Sequence, residues 1–294
     1  MRQGSRSAIT QWSTGPEARG CRGSPCRRRP LGRVVDVGLP EQGRTGTHRN
    51  RPGYPGVGHR HGDTAGTSPA LEGRSMKIGI IGAGNIGGNL TRRLTALGHD
   101  VSVANSRGPH TLTELAAETG ATPVTAAEAA RGAEIVVVTV PLKAVPDLPP
   151  GLFDEAAPGA VVIDTGNYYP KERDGRIAAI EDGLLESRWT EQHLGHPVVK
   201  AFNNVYAQDI LDRPLPAGHP DRLAVPVAGD DAAAKEAVRR LIDELGFDTV
   251  DTGGLDDSWR QQPATPVYGL RAGVEGIAKA LAEASPERTA AFKA

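Results

Sequence analysis

The chain has 294 residues, 38% of them apolar and 23% charged, with a formal net charge of −1. That suits one large or two small domains of a soluble globular protein. No stretch is long and apolar enough for a bilayer span or a signal-peptide core, so neither class is expected.

The near-neutral average conceals a seam at Met76. Residues 1–75 hold 13 Arg, no Lys, five acidic side chains, 14 Gly and seven Pro, a net charge of +8. Residues 76–294 hold 21 basic and 30 acidic side chains, a net charge of −9. The first part has too few long apolar side chains to offset the entropy of ordering its backbone, so a disordered extension is expected. An Arg-rich nucleic-acid arm would interleave aromatic residues, and a transit peptide would be helical; this segment does neither. The remaining reading starts the protein at Met76, with residues 1–75 as upstream sequence translated in error. Both cysteines, Cys21 and Cys26, lie in this extension. His48, His59 and His61 follow them, but no second Cys pair completes a zinc site. The folded part then has neither disulfide nor thiol nucleophile, which fits a reducing cytoplasm.

From Met76 onward, short apolar runs alternate with helical patterns, the signature of a parallel sheet covered on both faces. The predicted order is a strand at Lys77–Ile81, a helix at Asn85–Leu97 and a strand at Val101–Ala104. A helix at Leu112–Glu118 and a short strand at Thr122–Val124 follow. Ile135–Val140, Ala160–Asp164 and Val198–Phe202 read as strands buried on both faces. Asn167–Gly183 between them reads as polar and mobile. Leu223–Ala228 is a further strand whose Pro226 points to an edge or a bulge. Asp231–Leu245 is an amphipathic helix, Asp248–Asp251 the last strand and Val274–Ala284 the last helix. The expected fold is α/β, a Rossmann-type doubly wound, mostly parallel sheet with a short C-terminal helical segment, spanning residues 76–294.

Gly82-Ala83-Gly84-Asn85-Ile86-Gly87 has the G-x-G-x-x-G spacing and lies between the first strand and the first helix. Such a turn needs glycine to bend, to admit a pyrophosphate against the backbone and to pack helix on strand. The helix N-terminus then offers unpaired N–H groups to phosphate. After the second strand, where an NAD site places an acidic residue on the ribose, the chain has Asn105-Ser106-Arg107. Arg107 suits a 2′-phosphate and Ser106 a hydroxyl hydrogen bond, so NADP(H) is the expected cofactor.

These pieces are joined by Thr139-Val140-Pro141, Lys200-Ala201-Phe202-Asn203-Asn204, the stretch from Pro226 to Asp231 and the stretch from Asp251 to Leu255. Together they resemble the NADPH-dependent F420 reductase family, also called F420-dependent NADP oxidoreductases, over nearly all of residues 76–294. The resemblance implies a nicotinamide bordered by Thr139, Val140 and Pro141, with Phe202, Asn203 and Asn204 across the crevice. It also implies coenzyme F420, as co-substrate, stacked on the nicotinamide. The chain departs from the family at Ala83, where many members carry a hydroxyl residue, and in the stretch from Asp256 to Gln262.

Hydride transfer between stacked rings needs positioning more than a general acid. A carbonyl or imine reductase would need a proton donor, for which Lys200 is the candidate; the alternative is a salt-bridged or snorkelling side chain. β-Hydroxyacid dehydrogenases and pyrroline-carboxylate reductases carry a large helical second domain, for which the forty or so residues after the last strand are too few. A non-catalytic NADPH-binding sensor is the third reading. Tyr168, Tyr169 and Trp259 are candidate pocket walls or ordinary packing. Lys171, Arg173 and Arg176 are candidate contacts for an anionic coenzyme tail or a solvated loop. His193 and His196, on one helix, lack a third ligand, so no metal is expected. The expected partner is a small-molecule or coenzyme acceptor, with no nucleic acid and no membrane, and the apolar C-terminal segment makes a homodimer plausible.

Overall fold

The computed structural model describes residues 74–294. The expectations for residues 1–73, with Cys21, Cys26, His48, His59 and His61, lie outside the described residues.

Among the described residues, eight strands form one sheet in the order β3-β2-β1-β4-β5-β6-β7-β8. They are β1 (Lys77–Ile81), β2 (Asp100–Ala104), β3 (Thr122–Pro123), β4 (Ile135–Val138), β5 (Val161–Asp164), β6 (Val198–Lys200), β7 (Ala224–Ala228) and β8 (Asp248–Gly253). The first six run parallel in the 3-2-1-4-5-6 order of a dinucleotide-binding fold. β7 is antiparallel to β6 and parallel to β8. The direction of winding reverses between β1 and β4, and ligands of open α/β sheets bind beyond the strand C-termini at such a point.

The helices are α1 (Asn85–Ala96), α2 (Thr113–Thr119), α3 (Ala126–Ala130), α4 (Ala178–Glu181), α5 (Glu186–Leu194), α6 (Asp209–Asp212), α7 (Ala232–Glu244) and α8 (Val274–Ala282). On one face of the sheet α1 and α7 bury Leu90, Leu94, Val238, Leu241 and Ile242 against Ile78, Ile80, Ile163 and Val227. On the other, Ala129 and Ala130 of α3 pack with Val136, Val138 and Leu152. α8 lays Ile277 and Leu281 against Ala224 and Val267. The α/β class, the Rossmann-type winding and the short C-terminal helical segment are therefore all present.

Three differences from the sequence reading, and one choice it left open, have local causes. β6 ends at Lys200 rather than Phe202, because Phe202 takes a left-handed backbone with φ of 63° that a strand cannot continue. Of the two alternatives for Pro226, the edge fails, since β7 lies inside the sheet, and the bulge holds. The missing proline N–H is tolerated because β6 and β7 pair only at Lys200 and Ala228, next to a register shift at Val227/Ala228. α3 went unpredicted although Thr125 and Glu128 form a capping box, each side chain accepting from the other's backbone N–H. The stretch Asn167–Gly183, expected to be mobile, is held by the buried Asp174 carboxylate. That group accepts from Tyr169 N at 2.8 Å, from Lys143 N at 3.4 Å and from the Arg173 guanidinium.

Candidate functional site

The glycine-rich turn between β1 and α1 is pinned by backbone. Gly82 N donates to Ala104 O at 2.8 Å and Thr139 N donates to Ile81 O at 2.9 Å, so the ends of β1, β2 and β4 are locked together. Gly82 has φ of 113°, and a Cβ there would strike the Thr139 carbonyl. A Cβ at Gly87 would strike Gly82 O and lie 2.7 Å from Thr139 Cγ2. Gly84 differs: its Cβ would meet nothing within 4 Å. This open space stands before the N-terminus of α1, which carries no side-chain cap and no acidic residue in its first turn. A pyrophosphate fits that cradle, since the unpaired amides and the helix dipole both favour an anion. Ala83 and Ile86 are partly buried, and Asn85 is exposed at the start of the helix.

Asn105, Ser106 and Arg107 directly follow β2. Asn105 Oδ1 accepts from Arg107 N at 3.0 Å and its Nδ2 donates to Thr111 Oγ1 at 2.9 Å, which fixes the turn. Ser106 and Arg107 stay exposed beside it. Thr139, Val140 and Pro141 form the corner after β4, and Val140 Cγ1 would lie 3.2 Å from a Cβ on Gly82.

The ends of β5 and β6 are closed by side chains. Lys200 is fully buried, with Nζ donating to Asp164 Oδ2 at 3.0 Å and to the Gly166 carbonyl. The Phe202 ring is 1% exposed and packs in the main core. Asn203 donates to Gln261 O at 2.6 Å and to Asn167 Oδ1 at 3.1 Å, and its carbonyl accepts from Asn167 Nδ2 at 2.7 Å. Gln261 Nε2 donates back to Asn203 Oδ1 at 3.0 Å. Asn204 is also buried, its carbonyl accepting from Gly269 N at 3.2 Å while its Oδ1 has no protein partner among the described residues. Of the residues expected across the crevice, Asn203 thus binds the C-terminal segment to the sheet, and Phe202 points into the core.

Behind this layer lies a buried charged cluster. Glu186 on α5 accepts from Tyr168 N at 3.0 Å and from Arg288 Nη2 at 3.3 Å. Burial pushes its carboxyl up to about 7, against the pull of Lys200 and Arg288. Tyr168 is fully buried, with its hydroxyl accepting from Ile177 N at 2.8 Å and Arg288 over its ring. Tyr169, its neighbour, faces the other way. Its hydroxyl meets that of Tyr268 from the C-terminal segment, and Arg173 lies over its ring with the guanidinium carbon 4.8 Å from the centroid. Burial, then the contact with Tyr268, raises the Tyr169 phenol far above its ordinary range.

The remaining candidates are dispersed. His193 is on α5 and contacts Trp189 O, whereas His196 lies beyond the Gly195 cap and contacts Pro197 O; the two do not share one helix. Trp259 stacks under its neighbour Arg260, which reaches Leu281 O at 3.4 Å and ties this turn to α8. Lys171 donates to Ala290 O at 2.6 Å and Arg176 lies 3.8 Å from Asp182. Gln261, Tyr268, Glu186 and Arg288 escaped the sequence reading. Each acts through a partner far away in the chain, and no local pattern marks it.

Residues 77–168 match the family model described as NADP oxidoreductase, coenzyme F420-dependent. The Escherichia coli K12 protein YjhV is 52% identical over 54 residues, 18% of this chain and 39% of YjhV, so the match spans about two-fifths of that relative's length. The crystal structure of protein SMa0349 from Sinorhizobium meliloti is 28% identical with a TM-score of 0.57, covering 69% of this chain and 97% of that one. A structure from Arthrobacter sp. FB24, described as a candidate F420-dependent NADP reductase, is 24% identical with a TM-score of 0.49. It covers 63% of this chain and 87% of that one. The matched span contains the glycine-rich turn, the Asn105–Arg107 loop and the Thr139–Pro141 corner. Over residues 77–168, the chain is therefore similar to the coenzyme F420-dependent NADP oxidoreductase family.

Proposed function

We propose that residues 76–294 transfer hydride between NADP(H) and a deazaflavin such as F420, or a flavin-like acceptor. The observation that carries the reading is the open cradle at Gly84, within a turn whose other two glycines are locked by contact. Gly84–Gly87 hold the pyrophosphate on the amides of α1. Ser106 and Arg107 take the 2′-phosphate, in a loop that offers no carboxylate to a bare ribose. Thr139, Val140 and Pro141 border the nicotinamide, and the ends of β5 and β6 face the acceptor. Bound NADPH supplies the hydride, and the protein supplies orientation and exclusion of water.

The burial of Lys200 favours this reading over a carbonyl or imine reductase. A proton donor to a carbonyl must reach the substrate oxygen. The Lys200 ammonium instead lies against Asp164 and Gly166, fully buried. The test mixes NADPH and oxidised F420 with the full chain. Enzyme-dependent bleaching of the deazaflavin absorbance is expected. Turnover of small carbonyls with none of F420, FMN or FAD would overturn the reading.

A further inference from the structure

The acceptor end of the sheet holds several ionisable side chains, and most are already committed. Asp164 and Lys200 hold each other; Asp174 holds Arg173 and the Tyr169 amide; Glu186 accepts from Arg288 and the Tyr168 amide. The exception is the pair of phenols. Tyr169 comes from the loop after β5, two residues beyond Asn167, which is bonded to Asn203 at the end of β6. Tyr268 comes from the turn whose next residue, Gly269, donates to Asn204 O. The two hydroxyls meet where these segments converge, and both side chains are only partly buried.

Two phenols carry two protons, and a single hydrogen bond between them uses one. The other remains available to a ligand, and it is sharpened as a donor because its oxygen sits in a polarised chain. We propose that the Tyr169–Tyr268 pair donates a hydrogen bond to the conjugated carbonyl or ring nitrogen of the acceptor, where negative charge arrives with the hydride. The inference rests on the hydride-transfer reading above.

In the balanced reaction a nicotinamide C–H bond breaks and an acceptor C–H bond forms, with both electrons of the bond passing to the acceptor. The resulting negative charge is held by the phenol pair until a proton from water neutralises it. A donor aimed at developing charge acts mainly in the transition state, and losing one such donor commonly slows the chemical step about 100–1000-fold. The elevated Tyr169 phenol is consistent with this task, because it stays protonated through the physiological range.

Tyr169→Phe, Tyr268→Phe and the double variant test the pair. Each single variant should lower the rate of F420 reduction under saturating NADPH at least tenfold, with NADPH affinity unchanged. The double variant should be little worse than the slower single one, since the two hydroxyls act as a unit. A second readout needs no turnover. Fluorescence titration without nucleotide should show each variant losing about tenfold of its affinity for reduced F420 while keeping that for oxidised F420. Tyr268→Phe, in the more peripheral segment, serves if Tyr169→Phe fails to fold. Wild-type rates in both single variants would overturn the proposal, as would equal losses for NADPH and both forms of F420, which mark a structural role. A wild-type protein that binds NADPH but reduces neither F420 nor a flavin would instead overturn the hydride-transfer reading, and the inference with it.

Discussion

The turn between β1 and α1 and the crevice wall at the ends of β5 and β6 are built by opposite means. The turn uses backbone: glycines in contact, amides left unpaired and one position kept open. The wall uses side chains: a buried Lys200–Asp164 pair, an amide chain through Asn167, Asn203 and Gln261, and a charged cluster at Glu186. A pyrophosphate is the same in every dinucleotide, so a backbone cradle suffices for it. An acceptor has its own shape and charge, which only side chains can match. Substitutions in the wall should therefore act on stability first, and substitutions in the turn should split between stability and binding according to which glycine is changed.

The largest effect is expected in the wall. Lys200→Met leaves Asp164, 1% exposed, without its ammonium partner. Breaking a buried pair from one side costs about 3–5 kcal/mol. Urea unfolding should register that loss. A drop below about 1 kcal/mol would mean that water reaches the pair and that the wall is less closed than it looks.

Inside the turn, two glycines should part company. Gly87→Ala forces a methyl group onto Gly82 O, and overpacking of that kind costs about 1–3 kcal/mol or more. Gly84→Ala meets open space, so its melting temperature should hold while NADPH affinity falls, because the methyl group occupies the cradle. Calorimetry paired with NADPH titration separates them. Equal stability losses at both positions would refute the contrast. Further along the same surface, Arg107→Ala should weaken NADPH by about 1.5–3 kcal/mol through a lost charged contact and leave NADH nearly untouched. Similar losses for both nucleotides would put the arginine away from the 2′-phosphate.

The same contrast explains what could be read in the sequence. The turn is local: its spacing and its place between an apolar run and an amphipathic helix state its geometry within six residues. The strands up to β5 were legible because burial on both faces demands unbroken apolar runs such as Ile135–Val138. The wall could not be read in this way. Its bonds join residues 36 apart at Asp164 and Lys200, 99 apart at Tyr169 and Tyr268, and 102 apart at Glu186 and Arg288. No window sees such pairs, and each partner alone resembles a solvated charge or a packed ring. Phe202 shows the limit most plainly. Its sequence extends an apolar strand, yet the chain turns left-handed there to deliver Asn203 to Asn167.

The smallest effect is a slope rather than a step, and it tests whether the wall is dry. Glu186 is buried and faces Lys200, Asp164, Arg288 and the Tyr168 amide; its carboxyl is raised to about 7. An unfolded glutamate titrates near about 4.3, so between these values the folded chain binds the extra proton. Folding is then favoured on the acid side: the contribution is complete below the unfolded value and is lost as pH rises through about 7. Between about pH 5.5 and 7 the wild-type protein should lose about 1–2 kcal/mol relative to Glu186→Gln, which keeps an acceptor for the Tyr168 amide but cannot titrate. Urea midpoints of both proteins across that range give the slope directly. Parallel curves would mean that Arg288 and Lys200 hold the carboxylate charged throughout, and that the cluster behaves as a paired ionic network rather than a desolvated acid.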